Sequence, residues 1–240
     1  MRLSDFSVLS FDCYGTLIDW ESGIWEALRP LIARCPEPPA QEQALAAFGA
    51  AESAQERKTP GLLYRELLAQ VHRRLAGEWG AAIDDGEAAA FGASVGDWPA
   101  FPDSPAALDY LARFYKLVIL SNVDRASFAH SNRKLGVAFF AIYTAEDIGS
   151  YKPSDRNFDY MLSRLKTLGI EKGDILHTAE SMFHDHAPAN RHGLASCWIY
   201  RRFDQPGFGA TANPGEMPRY DFRFNSMADL VQAHQSALHG

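Results

Sequence analysis

Short apolar runs alternate with segments of helical periodicity over much of the chain. Residues 6–11 are mostly apolar and bounded by polar and glycine positions, which predicts a buried strand. From residue 100 onward, a similar run follows each helical segment. The predicted elements there are helix 104–114, strand 116–121, helix 124–135, strand 139–144, helix 155–168, strand 174–179, helix 185–192 and strand 195–200. Alternation of this kind predicts an α/β fold, in which a parallel sheet with right-handed crossovers carries helices on both faces.

A helical segment without a convincing strand interrupts this alternation. Residues 42–58 and 62–75 have apolar positions three and four apart, as in amphipathic helices. Residues 205–219 are rich in Gly and Pro and are predicted to form a loop, and residues 227–238 a closing helix. The predicted division is a core domain of residues 1–19 and 98–240 and an all-helical cap of residues 20–97.

The composition mainly excludes certain classes of partner. At 240 residues with 47% hydrophobic residues, the chain can bury a large core. A formal charge of -7 argues against a nucleic-acid or anionic-membrane surface. No apolar stretch reaches the roughly 18 to 20 residues that a membrane span needs. We therefore expect a small-molecule substrate, with neither nucleic acid nor membrane as a partner.

The N-terminus and the cysteines indicate the compartment. Residues 1–5 lack the long apolar region of a signal peptide. Cys13, Cys35 and Cys197 are odd in number and far apart, and they form no disulfide or zinc spacing. These features predict a soluble, reduced, cytoplasmic protein. Small closed oligomers are common, so a homodimer is compatible with the sequence.

Reactive side chains follow several of the predicted strands. Asp12 ends the first strand just before a glycine turn. Open α/β sheets bind ligands in the crevice beyond the carboxyl ends of their strands, so this carboxylate is expected to point into it. The later segments with the same pattern are Ser121-Asn122, Tyr151-Lys152-Pro153 and Glu180-Ser181 with Asp185 beyond.

Taken in order, these motifs resemble the haloacid dehalogenase superfamily, and within it the 2-haloacid dehalogenase branch. The matching segments are Asp12-x-Tyr14-Gly15-Thr16-Leu17, Leu120-Ser121-Asn122, Tyr151-Lys152-Pro153 and Glu180-Ser181 with Asp185 and Ala189. The resemblance covers nearly the whole chain. It implies a Rossmann-like core with a helical cap inserted after the first strand, as the periodicity also predicts.

The resemblance implies a role for each matching residue. Asp12 attacks an electrophilic carbon, and water then hydrolyses the aspartyl ester, which splits one hard step into two. Lys152 keeps Asp12 ionised and balances the substrate's own anion. Asp185 orients Lys152 or assists the hydrolytic water. The remaining predicted contacts are orienting groups and pocket walls: Thr16, Ser121, Asn122, Tyr14 and Trp20.

Tyr14 decides most about the reaction type. Phosphatases of the superfamily generally carry a second Asp two residues after the nucleophile, as a general acid for the leaving alcohol. A halide leaves as a stable anion and needs no proton, so an aromatic wall suits that reaction better. A phosphatase without its acid would lose about a hundredfold or more in rate. The principal prediction is therefore a hydrolase of the 2-haloacid dehalogenase type, needing no cofactor and inverting the α-carbon.

Three positions depart from the dehalogenase pattern. Residues 41–52 contain no arginine to bind a departing halide, and Arg57 is the nearest. Phe158 stands where a tyrosine is usual in the substrate pocket. Glu180 stands where small polar residues are usual, and with Asp185 it is similar to the acidic pair that binds magnesium in the phosphatases. If the chain is phosphatase-like, the predicted metal ligands are Asp12, Glu180 and Asp185.

These departures leave alternatives open. A few relatives of the dehalogenases open azetidine-2-carboxylate by hydrolysing a carbon–nitrogen bond at the α-carbon. The leaving amine is already protonated, and a carboxylate such as Glu180 would suit it better than an arginine. A magnesium-dependent phosphatase is the third reaction considered. A binding protein without activity is the non-enzymatic alternative, although it would not need Asp12 as a nucleophile.

Two further sets of residues, histidines and arginines, are interpreted as structural and not as catalytic. His184 and His186 alternate along the chain and do not face one another as i, i+4 metal ligands would. We therefore expect capping and surface contacts for these histidines. Arg201 and Arg202 follow the last predicted strand and are expected to form a solvated rim.

Overall fold

Six parallel strands form the central sheet. The computed structural model describes residues 1–239, and its strand order is β3-β2-β1-β4-β5-β6. The strands are β1 Val8–Phe11, β2 Lys116–Ser121, β3 Ala141–Thr144, β4 Ile175–Ala179, β5 Ala195–Ile199 and β6 Phe222–Phe224. Because β1 lies between β2 and β4, the order of strands reverses direction beside it. Such a reversal opens a crevice at the carboxyl ends of the neighbouring strands, immediately after Phe11.

The helices fall into two groups. The first four lie between β1 and β2 in the chain: α1 Trp20–Ile32, α2 Gln41–Lys58, α3 Tyr64–Glu78 and α4 Asp85–Ala93. The others connect or follow the strands: α5 Ser104–Leu111, α6 Arg125–Leu135, α7 Ala145–Ile148, α8 Asp155–Thr167, α9 Ala187–Arg191 and α10 Met227–His239. A five-residue π-helical turn, Met182–His186, precedes α9. The fold is thus an α/β Rossmann-like sheet with a helical cap.

Both faces of the sheet are covered. Alternate side chains of a strand point to opposite faces, and Leu9 and Phe11 belong to one buried cluster while Val8 belongs to another. On β2, Ile119 joins the first cluster and Leu120 the second. The strands therefore read as nearly continuous apolar runs, which is typical of buried parallel strands.

The cap packs tightly because small residues let its helices approach closely. At Gly92 of α4, an added Cβ would lie 2.1 Å from the carbonyl oxygen of Arg65 on α3. At Gly49 of α2, an added Cβ would lie 2.1 Å from the carbonyl oxygen of Ala210. The cap and the loop after β5 therefore approach closely at position 49, and a larger side chain could be accommodated there only if the loop moved.

The predicted elements agree with the structure, with local differences. The predicted strand 139–144 begins only at Ala141, and β6 was not predicted because its three residues form too short a run. Residues 205–219 contain no helix or strand, as expected from their Gly and Pro content. Within residues 1–239, no helix is both long and apolar enough to cross a membrane. The division into residues 1–19 with 98–240 and residues 20–97 stays a prediction.

Candidate active site

A buried lysine joins two carboxylates at the centre of the crevice. The Nζ atom of Lys152 donates to Asp12 Oδ1 at 2.9 Å and to Asp185 Oδ1 at 2.7 Å. Its third hydrogen bond, at 3.0 Å, goes to the carbonyl oxygen of Leu120 at the end of β2. The ammonium group therefore uses all three of its donors inside the protein.

Burial and these contacts set the charges of the three groups. Burial raises the pKa of Asp12, against the opposing effect of Lys152 and the Thr16 hydroxyl. Burial also acts to raise the pKa of Asp185, but Lys152 and His177 outweigh it and hold that pKa below its usual range. Burial would lower the pKa of Lys152, yet the two carboxylates hold it above its ordinary value. Lys152 and Asp185 are therefore charged at neutral pH, and Asp12 is the group whose ionisation is sensitive to its surroundings.

Asn122 positions the backbone that carries Lys152. Its Oδ1 accepts a hydrogen bond from the Lys152 amide at 2.7 Å, and its Nδ2 donates to the Lys152 carbonyl at 3.1 Å. The loop after β2 and the loop after α7 are thereby clamped together. Asn122 was predicted to contact the substrate, and it also lines the cavity described below.

Thr16 connects the Asp12 loop to the loop after β4. Its hydroxyl donates to Asp12 Oδ2 at 2.8 Å and accepts from the Glu180 amide at 2.9 Å. The turn before Thr16 depends on Gly15, whose φ is +91°, a region that side chains other than glycine rarely adopt. Both oxygens of Asp12 are thus oriented by donors, one by Lys152 and one by Thr16.

A buried histidine supports Asp185. His177 Nε2 lies 3.0 Å from Asp185 Oδ1, and His177 Nδ1 lies 2.9 Å from the Ser10 hydroxyl. Ser10 and His177 are opposite each other on the paired strands β1 and β4. The other oxygen of Asp185 is buried and has no hydrogen-bond partner within residues 1–239. That oxygen is free to accept a proton or a hydrogen bond from a water molecule.

A cavity of about 40 Å³ adjoins Asp12 and Lys152. A buried water needs roughly 10 to 15 Å³ by this kind of measure, so the cavity suits a small molecule. It is lined by Asp12, Tyr14, Trp20, Glu52, Glu56, Tyr64, Asn122, Val123, Lys152, Ser181, His184, Asp185 and Thr211. Six of the predicted site residues line this cavity, and the cap contributes acidic side chains that were not predicted.

Glu52 and Glu56 of α2 are site residues that the sequence analysis missed. Tyr64 donates its hydroxyl hydrogen to Glu52 Oε1, and Asn122 Nδ2 donates to Glu56 Oε1 at 3.0 Å. Burial raises the pKa of Glu52 to about 7. Burial and the neighbouring Glu52 raise the pKa of Glu56 well above its usual range. The signal that could have found them is their spacing from Phe48, which places all three on the buried face of α2.

Tyr14 and Trp20 lie in the cavity wall, as the sequence predicted for both. The Tyr14 hydroxyl is hydrogen-bonded to Ser131 Oγ at 2.8 Å, and its ring packs edge-on against Trp98. Burial raises the pKa of Tyr14 well above its usual range. A hydroxyl held this way is a poor proton donor to a leaving group, which is consistent with the predicted role of Tyr14 as a wall.

The structure does not bring the remaining predicted residues into this cavity. Ser121 is buried, and its hydroxyl has no partner within residues 1–239. Phe158 is fully buried beneath the site, where its ring packs against those of His177 and His192. The ring of Phe158 therefore supports the histidine that holds Asp185 and does not face the cavity wall.

Glu180 lines a separate cavity of about 150 Å³ on the other side of Trp20. Its Oε2 accepts a hydrogen bond from Thr211 Oγ1 at 3.3 Å. Burial, together with the charge of Glu21, raises the pKa of Glu180 to about 8. The residue is partly exposed, and within residues 1–239 its carboxylate is hydrogen-bonded to Thr211 and not to Asp185.

The residues proposed for magnesium do not fit that ion. Within residues 1–239, no group of three or more His, Cys, Asp or Glu side chains is placed to hold a metal. Glu180 is bonded to Thr211, and the ammonium of Lys152 lies between the carboxylates of Asp12 and Asp185. No catalytic step is therefore assigned to a metal bound by these three carboxylates.

The surface position expected for His184 and His186 and the solvated rim expected for Arg201 and Arg202 are wrong, although Ser181 caps the turn that contains His184. His184 and His186 are buried, and burial lowers the pKa of each to about 4. Arg202 forms ion pairs with Glu21 and Glu42 of the cap, and only 6% of its side chain is exposed. A buried charge needs such partners, so Arg202 fastens the cap to the loop after β5 and is not part of a solvated rim.

The comparison with protein families agrees with this geometry. Residues 6–178 match the model of the haloacid dehalogenase-like hydrolases. The chain belongs to this family. It is a hydrolase, and the loops that carry Asp12 and Lys152 both lie inside the matched residues. No curated protein sequence matches the chain significantly.

Solved structures show the same fold. An L-2-haloacid dehalogenase is 23% identical, with a TM-score of 0.74 over 96% of this chain and 99% of the other. A defluorinating L-2-haloacid dehalogenase is 21% identical, with a TM-score of 0.77 over 97% and 98%. The Xanthobacter autotrophicus L-2-haloacid dehalogenase with covalently bound chloropropionic acid is 16% identical, with a TM-score of 0.77 over 96% and 98%. At these identities the likeness concerns the fold.

Proposed function

We propose that this hydrolase displaces a leaving group from the α-carbon of a small 2-substituted carboxylate, with Asp12 as the nucleophile. The observation that carries the proposal is the placement of Asp12. Its carboxylate borders a small cavity and is oriented by Lys152 on one oxygen and Thr16 on the other. An ionised carboxylate held in this way can form a covalent intermediate.

The reaction has two balanced steps. In the first, an oxygen of Asp12 forms an ester bond with the α-carbon, and the leaving group departs with the electron pair of the broken bond. In the second, water attacks the carboxyl carbon of Asp12, which releases a 2-hydroxy acid and restores the carboxylate. The unpartnered oxygen of Asp185 is suited to accept the proton of that water. Only the first step breaks a bond at the α-carbon, so its configuration inverts.

The first reaction proposed is cleavage of a carbon–halide bond. The cavity offers no general acid at Tyr14, and a halide ion needs none. An L-2-haloacid dehalogenase of the same fold holds chloropropionic acid covalently. These points support a 2-halocarboxylate as substrate.

The test is chloride release from (S)-2-chloropropionate by the wild-type chain, with and without EDTA, and with Asp12→Asn as the blank. The expected product is (R)-lactate. In a single turnover with excess enzyme in ¹⁸O-labelled water, the label should enter Asp12 and not the first lactate formed. Retained configuration, or label in the first product, would contradict the aspartyl ester.

The second candidate is hydrolytic opening of L-azetidine-2-carboxylate at its carbon–nitrogen bond. The observation that favours it is the absence of arginine from the cavity wall, as far as residues 1–239 show. The same steps apply, and the ring nitrogen keeps the electron pair and remains attached to the product as an amine. Mass spectrometry of the ring-opened 2-hydroxy product distinguishes this activity from chloride release. A chain that turns over neither compound would contradict both candidates.

A further inference from the structure

Two carboxyl groups of the cap face the nucleophile without a cation of their own. Glu52 and Glu56 are only 3% and 6% exposed, and both line the cavity that contains Asp12. One oxygen of each accepts a hydrogen bond, from Tyr64 and from Asn122. Within residues 1–239, the second oxygen of each accepts none.

Unpartnered atoms beside this pair indicate a ligand. His184 is 8% exposed and lines the same cavity, and its Nε2 atom is buried without a hydrogen-bond partner within residues 1–239. That atom lies 3.8 Å from Glu56 Oε2. Asp185 Oδ2, also in the cavity wall, is likewise unpartnered. Since buried polar atoms almost always have a partner, two of them at one small cavity point to a polar molecule that binds there.

The charges around the cavity define that molecule further. Four carboxyl groups and one lysine line it, and within residues 1–239 no arginine does. Lys152 is already bonded to Asp12 and Asp185, which leaves Glu52 and Glu56 uncompensated. Two neighbouring buried carboxyl groups without a cation favour the protonated form, whereas a cationic ligand would favour the ionised form.

We propose that Glu52 and Glu56 form a binding site for a protonated amine of the substrate, so that the substrate class is a small carboxylate with an ammonium group at its departing end. This inference rests on the proposed displacement at Asp12. An ammonium group has N–H donors but no acceptor, which matches the free carboxylate oxygens.

The proposal accounts for the missing general acid. When the α-carbon–nitrogen bond breaks, its electron pair stays on a nitrogen that already carries its protons. The product is a neutral amine, which takes up the proton released when water hydrolyses the ester. Glu52 and Glu56 thus bind the positive charge before the bond breaks, and the proton from ester hydrolysis restores the charge of the amine without Tyr14 taking part.

The experiment compares two ligands of the same ring size in the full-length Asp12→Asn variant, which cannot form the ester. Titration calorimetry at about pH 8 measures binding of L-azetidine-2-carboxylate and of cyclobutanecarboxylate, which lacks the ammonium group. We expect the azetidine compound to bind at least about tenfold more tightly, because its ammonium group forms charge-assisted hydrogen bonds that cyclobutanecarboxylate cannot form. Equal or tighter binding of cyclobutanecarboxylate would overturn the proposal, and so would failure of both ligands to bind at millimolar concentration.

Variants of the pair assign the preference to these residues. Glu56→Gln and Glu52→Gln, each combined with Asp12→Asn, should reduce the preference to about threefold or less. The matched control is Glu66→Gln, the same change at an exposed position of α3, which should leave it unchanged. A preference that survives both Glu52→Gln and Glu56→Gln in folded protein would overturn the assignment.

Turnover by the wild-type chain separates this inference from the proposed function. Ligand preference in Asp12→Asn without turnover of either substrate would support the ammonium site and contradict the displacement. Chloride release from (S)-2-chloropropionate together with a preference for cyclobutanecarboxylate would support the displacement and overturn the ammonium site.

Discussion

Replacing Lys152 with Met tests the charge balance of the candidate site most directly. The substitution keeps an unbranched side chain of similar length and removes the ammonium group. It breaks hydrogen bonds to Asp12 at 2.9 Å, to Asp185 at 2.7 Å and to the Leu120 carbonyl at 3.0 Å. Two buried carboxyl groups then lose the cation that both share.

The size of the effect follows from these distances. Two unit charges about 3 Å apart interact by about 5 kcal/mol at an effective dielectric constant of about 20. At 1.36 kcal/mol per unit, this corresponds to an upward change of up to about four units in the pKa of Asp12. Burial already raises that pKa, so Asp12 becomes protonated at neutral pH and loses its nucleophilicity. We expect kcat/KM to fall by about 10³-fold or more.

Stability should fall as well. Removing one partner of a buried ion pair typically costs about 3 to 5 kcal/mol, because a charge remains without compensation. Asp12→Asn in the Lys152→Met background should recover part of this loss, since one of the two carboxylates is then gone. Urea unfolding of the two variants at about pH 7.5 measures both values.

The assay is steady-state turnover of the better of the two candidate substrates between about pH 6 and pH 10. Activity of Lys152→Met should rise towards alkaline pH as hydroxide ionises Asp12 again. Lys166→Met, an exposed position on α8, is the matched control and should behave like the wild type. If folded Lys152→Met keeps more than about a tenth of the activity at neutral pH, the assigned charge balance is incorrect.

Three further predictions concern other parts of the site and the cap. Burial raises the pKa of Glu52 to about 7, so the folded state binds the extra proton and stability falls as pH rises from about 4.5 to about 7. Relative to Glu52→Gln, the wild type should lose up to about 3 kcal/mol of unfolding free energy between about pH 5 and pH 8 in urea titrations; a constant difference would contradict this. His177→Gln should slow hydrolysis of the ester about tenfold or more, because Asp185 loses a hydrogen-bond partner. Mass spectrometry of quenched enzyme should then detect substrate bound to Asp12. An unchanged lifetime of the ester would show that His177 does not position Asp185. Gly49→Ala places a Cβ 2.1 Å from the Ala210 carbonyl oxygen and should destabilise the fold by about 1 to 3 kcal/mol, seen as a lower Tm; an unchanged Tm would mean that the loop moves away freely.

Asp12 could be placed from the sequence because it directly follows the apolar run of β1. Lys152 and Asp185 were identified by the order of the motifs, since one follows α7 and the other lies in a helical turn beyond β4. Parallel strands end at one edge of the sheet, so side chains far apart in the chain meet there. The structure brings Asp12, Thr16, Lys152 and Asp185 together, while their roles in the reaction stay predictions.

Other positions could not be placed in this way. Phe158 and Glu180 are next to the expected motifs, but one packs under His177 and the other faces a separate cavity. The direction of a side chain at a loop or helix start depends on its neighbours in space. A shift of one residue along the chain points the side chain in a different direction, and the spacing of residues in the sequence does not predict that shift.

The sequence by itself determined the fold class, the helical character of the cap and the order of the reactive groups, because hydrophobic periodicity and turn residues act locally. Only the tertiary structure decided that α2 turns Glu52 and Glu56 towards Asp12, that His177 holds Asp185 and that Arg202 is buried between the cap glutamates. The Arg202 contacts join segments more than a hundred residues apart in the chain. The other two arrangements depend on the face that a helix or strand presents to its neighbours. The acidic character of the cavity arises from the packing of the cap, which determines the carboxyl groups that are buried together.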